Sequence, residues 1–142
     1  MTLTRDRRTE LLAAAPLLAT VDAAGLQRIA DRTVEVAFTD GHVIARQGEV
    51  GTGFFLIASG GARVVRDGTT IATLGPGDFF GELSVLDGRP RVAQVIADGE
   101  TTCLALATWD IEAVVNEQPS VGLALARGLA ERLRTLTEAD RH

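Results

Sequence analysis

The segment from residue 75 to residue 91 contains the groups best suited to chemistry with a ligand. Glycines bracket its centre, so Glu82 to Leu86 have room for only one or two helical turns. The first N–H groups of a short helix have no acceptor within the helix and suit an anion. Gly81 lies just before these amides, where a missing side chain lets a ligand approach the backbone. The segment therefore predicts an anion-binding turn.

Glu82 and Arg91 add opposite charges around this turn. The Glu82 carboxylate can accept hydrogen bonds from sugar hydroxyl groups, and the Arg91 guanidinium can bind two phosphate oxygens at once. Amides, guanidinium and carboxylate together are the groups needed to bind a nucleotide with one internal phosphate. A salt bridge between the two side chains, with no ligand, is the alternative that these residues leave open.

Other chemistries are disfavoured by the rest of the sequence. His42 and His142 are the only two histidines and Cys103 is the only cysteine, so three or four metal ligands are hard to assemble. No histidine is placed to activate a serine or cysteine nucleophile. The glycines lack the spacing of a dinucleotide fingerprint, and no Gly-Lys-Ser/Thr follows them as in a P-loop. We expect no metal, no other cofactor and no catalysed reaction.

Composition limits the class of protein. The chain has 142 residues, 46% of them hydrophobic and 23% charged, which suits one soluble globular domain. The net charge of −5 and the lack of a basic cluster argue against direct nucleic-acid binding. No apolar stretch reaches the ~20 residues that span a bilayer, and no secretory signal stands out, so we expect a cytoplasmic protein without membrane contact.

Three zones without a linker between them must position the segment, so residues 1–142 are expected to form one domain. Residues 5–32 show a broken 3.6-residue apolar pattern divided by Pro16, which predicts two or three short helices. Residues 33–107 alternate short apolar runs with glycine turns, which predicts an antiparallel β roll, a jelly-roll-like barrel. Strands are predicted at 54–57, 62–66, 69–74, 92–97 and 101–107.

The third zone, residues 108–138, is predicted to be helical. Thr108 can cap a helix that stops before Pro119, and Pro119 then begins a helix of some 20 residues. Its leucine stripe, from Leu125 to Leu136, can cover the roll or pair with a second subunit, and the sequence leaves both open. Trp109 is expected to serve in packing rather than as a platform for a base. The predicted fold class is α+β.

A resemblance to a known family is carried by the same segment. Phe80-Gly81-Glu82-Leu83-Ser84, followed after six residues by Arg91-Val92-Ala93, resembles the phosphate-binding cassette (residues 80–93) of cyclic nucleotide-binding domains. That family includes the catabolite activator protein, regulatory subunits of cyclic AMP-dependent protein kinase and cyclic nucleotide-gated channels. The similarity extends to residues 16–26, 40–49 and 104–133. It implies N-terminal helices, a β roll, and C-terminal hinge and lid helices.

The resemblance also implies roles for individual residues. Arg91 would pair with the cyclic phosphate, with the amides of Leu83, Ser84 and either Val92 or Ala93, while Glu82 and the Gly81 backbone would bind the ribose 2′-hydroxyl. A Thr or Ser directly after the arginine often favours guanine in this family; Val92 has no hydroxyl, so cyclic AMP is expected in preference to cyclic GMP. Candidates to cap the base are Leu129, Arg132, Leu133 and Leu136.

The implied function is that of a regulatory module that binds a cyclic nucleotide and relays the event through its C-terminal helices. The chain stops at His142, where transcription factors of this resemblance continue into a helix-turn-helix. We therefore expect either a fragment of a longer regulator with a downstream effector domain, or a protein that signals through a partner. A homodimer through the C-terminal helix is compatible with both. The alternative is a nucleotide-free interaction or dimerisation module on the same fold.

Overall fold

The computed structural model describes residues 2–51, 53–81 and 89–139. Its helices are α1 (Arg5–Ala13), a 3₁₀ helix (Pro16–Leu18), α2 (Ala23–Arg32), α3 (Thr108–Glu117) and α4 (Pro119–Ala139). Its strands are β1 (Val34–Phe38), β2 (Val43–Ala45), β3 (Gly53–Ser59), β4 (Ala62–Arg66), β5 (Thr69–Leu74), β6 (Phe79–Phe80), β7 (Gln94–Ala97) and β8 (Thr101–Ala107). The predicted α+β class is confirmed. None of the helices in these ranges is long and apolar enough to cross a membrane.

The N-terminal helices begin where side chains can accept their free N–H groups. The Thr4 hydroxyl accepts from the Arg7 amide, and the Asp22 carboxylate accepts from the Gly25 amide. Pro16 opens the 3₁₀ helix between them. The predicted division into two or three short helices is therefore confirmed.

The β roll consists of two four-stranded antiparallel sheets in the described part of the chain. Their strand orders are β1-β8-β3-β6 and β2-β7-β4-β5. In the β4–β5 hairpin, Asp67 (φ 50°) and Gly68 (φ 81°) adopt the left-handed conformation that a two-residue turn needs. Strands β4, β5 and β8 have the predicted bounds.

Strand β7 begins at Gln94 rather than at the predicted Val92. The reason is a competing partner for the residues before it. The Arg91 amide donates to the Glu49 carbonyl and the Arg91 carbonyl accepts from the Gly48 amide, both at 2.8 Å. Because these backbone groups pair with the loop before β3, the ladder between β7 and β4 starts later in the sequence.

Two hydrophobic clusters lie on opposite faces of the sheet that contains β8. Alternate residues point to opposite sides of a strand. Cys103 packs inside the roll with Ile57 and Phe80, whereas Leu104 packs against the helices, where Val114 is also buried. Strand β8 is therefore the wall that the interior of the roll shares with the helical cluster.

The start of α3 differs from the prediction by one residue. Ala107 is the N-cap and Thr108 is the first helical residue, without a side-chain capping bond. Ala107 is also the last residue of β8, with φ −77° and ψ 154°, so the strand passes straight into the helix. The helix ends at Glu117, before Pro119, as predicted.

The C-terminal helices pack closely on the N-terminal ones. Arg28 lies 2.9 Å from Glu117, and Arg32 lies 3.2 Å from Asp110 and 2.8 Å from Glu117, which ties α2 to α3. Helix α4 approaches the 3₁₀ helix so closely that a Cβ on Gly128 would overlap the Leu17 carbonyl.

The Gly128 contact gives a stability prediction. Gly128→Ala should lower the free energy of unfolding by about 1–3 kcal/mol, because the added methyl meets a backbone atom that cannot turn aside. The measurement is urea denaturation followed by circular dichroism. Gly122→Ala is the matched control in the same helix, since its Cβ would meet only the Val115 side chain at 3.2 Å. Equal stability of the two variants would contradict the close approach of α4.

Candidate functional site

The backbone of Arg91 is fixed by the loop that precedes β3. Besides the two hydrogen bonds to Gly48 and Glu49, Val50 forms an isolated antiparallel bridge with Pro90. The residues around Arg91 thus pair with that loop as a short extra ladder. This pairing fixes the backbone of Arg91 beside the loop that leads into β3.

The guanidinium of Arg91 lies between two glycines and a carbonyl. Its Nη2 donates to the Gly53 carbonyl at 2.9 Å. A Cβ built on Gly81 would lie 2.5 Å from Nη1, and one on Gly51 would overlap Nη2 and Cζ. Gly81 also has φ +88°, a conformation that other residues rarely adopt. Side chains are therefore absent where the guanidinium needs room.

A cavity of about 380 Å³ opens beside this group. Arg91 supplies charge, Phe55, Ala105 and Ala107 supply apolar wall from β3 and β8, and Trp109 also lines the cavity. Cavities of this size and mixed lining are typical of small-molecule sites. The remaining lining residues are Val43, Ile44, Ala45, Arg46, Glu49, Val50, Gly51, Gly53 and Leu106.

The structure brings together some of the cassette residues named from the sequence. Gly81 lies against the Arg91 guanidinium. Val92, 67% exposed, and Ala93 follow Arg91 before β7 begins and are not among the cavity-lining residues. Three further candidates lie outside the described residues: Glu82, Leu83 and Ser84.

The four candidates for capping the base all lie on α4. Leu129 packs against the helical cluster, and Leu133 is 66% exposed. The side chains of Arg132 and Leu136 lie outside the described part of the chain. Among the residues that the structure describes, none from α4 lines the cavity.

Trp109 does not have the packing role that the sequence suggested. It is 63% exposed and lines the cavity, while Val114 of the same helix is buried in the helical cluster. Trp109 is the second residue of α3, directly after the strand whose Ala105 and Ala107 also line the cavity. The prediction that Trp109 serves in packing was therefore wrong.

Gly51 is the site residue that sequence reasoning missed. From the sequence, Gly51 was one of many glycines in the region predicted to form the β roll, and no role was predicted for it. Its contact with Arg91 depends on the pairing of the loop before β3 with residues 90 and 91, about 40 residues away. The residues next to Gly51 in the sequence do not indicate that it contacts Arg91.

Several comparisons with known proteins agree on one family. A family model described as "Cyclic nucleotide-binding domain" matches residues 35–118. The cyclic AMP receptor protein of Thermus thermophilus is 41% identical over 108 residues, which are 72% of this chain and 49% of that protein. A cAMP-dependent protein kinase regulatory subunit of Blastocladiella emersonii is 38% identical over 96 residues, or 64% and 24% of the two chains.

A solved structure matches nearly the full length. The N-terminal domain of a transcriptional regulator from Streptomyces coelicolor superposes with a TM-score of 0.81 and 31% identity, covering 91% of this chain and 93% of that one. By contrast, the chain spans only about a quarter to a half of the length of the two curated relatives. The likeness to them therefore concerns one of their parts.

The one cysteine yields a chemical prediction for the interior of the roll. Burial raises the pKa of the Cys103 thiol to about 12, so the thiol stays protonated in the folded protein at neutral and mildly alkaline pH. We expect no reaction with a thiol reagent at pH 8 in buffer and one equivalent of reaction in denaturant. Rapid labelling of the folded protein would contradict the closed interior.

Proposed function

Since the chain belongs to the cyclic nucleotide-binding domain family, we propose that it binds cyclic AMP in preference to cyclic GMP and relays binding through α3 and α4. The observation that carries the proposal is the Arg91 guanidinium, held by the Gly53 carbonyl between Gly51 and Gly81 beside a cavity of about 380 Å³. A cation held in a concave site with both polar and apolar walls suits a small organic anion.

The phosphate is the group that Arg91 binds. A guanidinium offers two parallel N–H donors to two oxygens, and such charge-assisted bonds are stronger than neutral ones. By resemblance to the family cassette, the amides of Leu83, Ser84 and either Val92 or Ala93 complete the phosphate contacts. Glu82 and the Gly81 backbone bind the ribose 2′-hydroxyl in this proposal.

The preference for cyclic AMP follows from Val92. The residue directly after the arginine offers no hydroxyl to the amino group of guanine, so nothing at this position favours cyclic GMP. The names of the two curated relatives, a cyclic AMP receptor and a cAMP-dependent kinase subunit, support the same ligand.

The relay starts at the junction of β8 and α3. Ala107 and Trp109 line the cavity on either side of the first residue of α3, so a ligand there contacts the beginning of the helix without an intervening loop. A ligand shifts the position of α3 only as far as it binds one arrangement better than another. Leu129, Arg132, Leu133 and Leu136 would cap the base in the arrangement that the ligand favours.

The output of the relay is a downstream effector domain, a protein partner or a second copy of the chain. Leu123 and Leu133 of α4 are 55% and 66% exposed and offer apolar surface for such contacts. The same surface favours the alternative function, an interaction or dimerisation module that binds no nucleotide. Titration with cyclic nucleotides separates the two.

Calorimetric titration tests the ligand and the role of Arg91. The parent protein should bind cyclic AMP at micromolar concentration or tighter and cyclic GMP more weakly. Arg91→Ala should weaken cyclic AMP binding by roughly 10²–10³-fold, because the phosphate loses its ionic partner. Arg66→Ala, on the exposed end of β4 and outside the cavity lining, is the control and should bind like the parent.

Two results would contradict this proposal in different ways. If the parent protein gives no heat of binding at millimolar cyclic AMP, the result would favour the alternative function, a module that binds no nucleotide. Unchanged affinity of Arg91→Ala would leave the ligand in place and remove Arg91 from the phosphate.

Trp109 provides an optical test of where the ligand binds. It is the single tryptophan of the chain, it is 63% exposed, and it lines the cavity. Adding cyclic AMP should therefore change its emission intensity or maximum with the same midpoint as the calorimetric titration. Trp109→Phe should abolish the signal. Binding in the calorimeter with constant emission of the parent would place the ligand away from this cavity.

A further inference from the structure

Gly51 lies against the Arg91 guanidinium more closely than any side chain would allow. The three heavy atoms nearest to a Cβ built on Gly51 are Nη2, Cζ and Nε of Arg91, the last at 2.6 Å. All three belong to the guanidinium itself. The group therefore lies across the α-carbon of Gly51, in the space that a methyl group would occupy.

The backbone of Gly51 does not require glycine. Its φ lies outside the left-handed range that favours glycine, in contrast to Gly81 at φ +88°. The absence of a side chain at Gly51 therefore leaves space for the guanidinium of Arg91.

The loop that carries Gly51 also holds the Arg91 backbone. Gly48 and Glu49 make two hydrogen bonds of 2.8 Å with the Arg91 carbonyl and amide, and Val50 bridges to Pro90. Two residues past Gly51, the Gly53 carbonyl accepts from Nη2 at 2.9 Å. One stretch of chain thus fixes both ends of the arginine, and Gly51 lies in the middle of it.

We propose that Gly51 is a positioning residue that determines where the Arg91 guanidinium lies and so sets the strength of phosphate binding. The inference rests on the proposed function of Arg91. A methyl group at position 51 displaces the guanidinium from the Gly53 carbonyl and from the place where two N–H groups can meet two phosphate oxygens. The fold is unaffected, because the clash is with the end of a flexible side chain.

Gly51→Ala tests this, with Gly75→Ala as its matched control. Gly75 is also outside the left-handed range, and a Cβ built on it would have no heavy atom within 4 Å. In calorimetric titration with cyclic AMP, Gly51→Ala should bind about ten- to a hundredfold more weakly, the loss expected for a misplaced charge-assisted hydrogen bond. Gly75→Ala should bind like the parent, and both variants should melt close to the parent temperature.

A double-variant cycle separates positioning from a general disturbance. Lysine ends in one nitrogen and does not fill the space beside Gly51 as a guanidinium does. Gly51→Ala should therefore cost little further affinity when added to Arg91→Lys. An equal loss in the parent and in the Arg91→Lys variant, or no loss in either, would overturn the proposal.

A ligand-free measurement keeps this inference distinct from the proposed function. In ¹⁵N-edited NMR spectra, the Arg91 Nε–H signal is assigned by its disappearance in Arg91→Lys. Gly51→Ala should shift that signal, whereas Gly75→Ala should leave it in place. An unchanged signal would overturn the positioning role. If Gly51→Ala shifts the signal but the parent protein binds no cyclic nucleotide, Gly51 positions Arg91 and the proposal that Arg91 binds a phosphate is rejected.

Discussion

The hydrogen bond between the Arg91 guanidinium and the Gly53 carbonyl is the interaction on which the site depends. At 2.9 Å it holds the guanidinium against the start of β3, and several other features support this arrangement. Gly51 and Gly81 leave the space, and the loop before β3 holds the Arg91 backbone. The rest of the roll provides the rigid frame that keeps these parts in register.

The frame is rigid because β3 and β8, which form one wall of the cavity, carry buried side chains on both faces. Ile57 and Cys103 are fully buried inside the roll, and Leu56 and Leu104 are buried on the other side of the same two strands. Closely packed interiors resist small displacements. The cavity wall formed by β3 and β8 is therefore backed by the helical cluster rather than by solvent.

Local signals in the sequence predicted much of this arrangement. Asp67-Gly68 identified the β4–β5 hairpin because its turn needs positive φ angles, and Pro119 marked the boundary between α3 and α4. The family was recognisable from the glycine, acid and arginine of residues 80–93. These features depend on a few neighbouring residues, and short-range chemistry determines them.

The errors and omissions arose where distant residues decide the outcome. β7 starts late because residues 90 and 91 pair with a loop some 40 positions earlier. Gly51 became a site residue through the same pairing, and Trp109 lines a cavity whose other walls come from β3 and the loop before it. Periodicity within one segment carries no record of such partners.

Strand β8 runs directly into α3, and ion pairs connect α3 to α2 in the N-terminal part of the chain. Arg28 forms an ion pair with Glu117, and Arg32 forms ion pairs with Asp110 and Glu117. The backbone of α4 contacts the 3₁₀ helix at Gly128. In the proposed relay, a displacement of the first turn of α3 would therefore also displace α2, to which these ion pairs connect it.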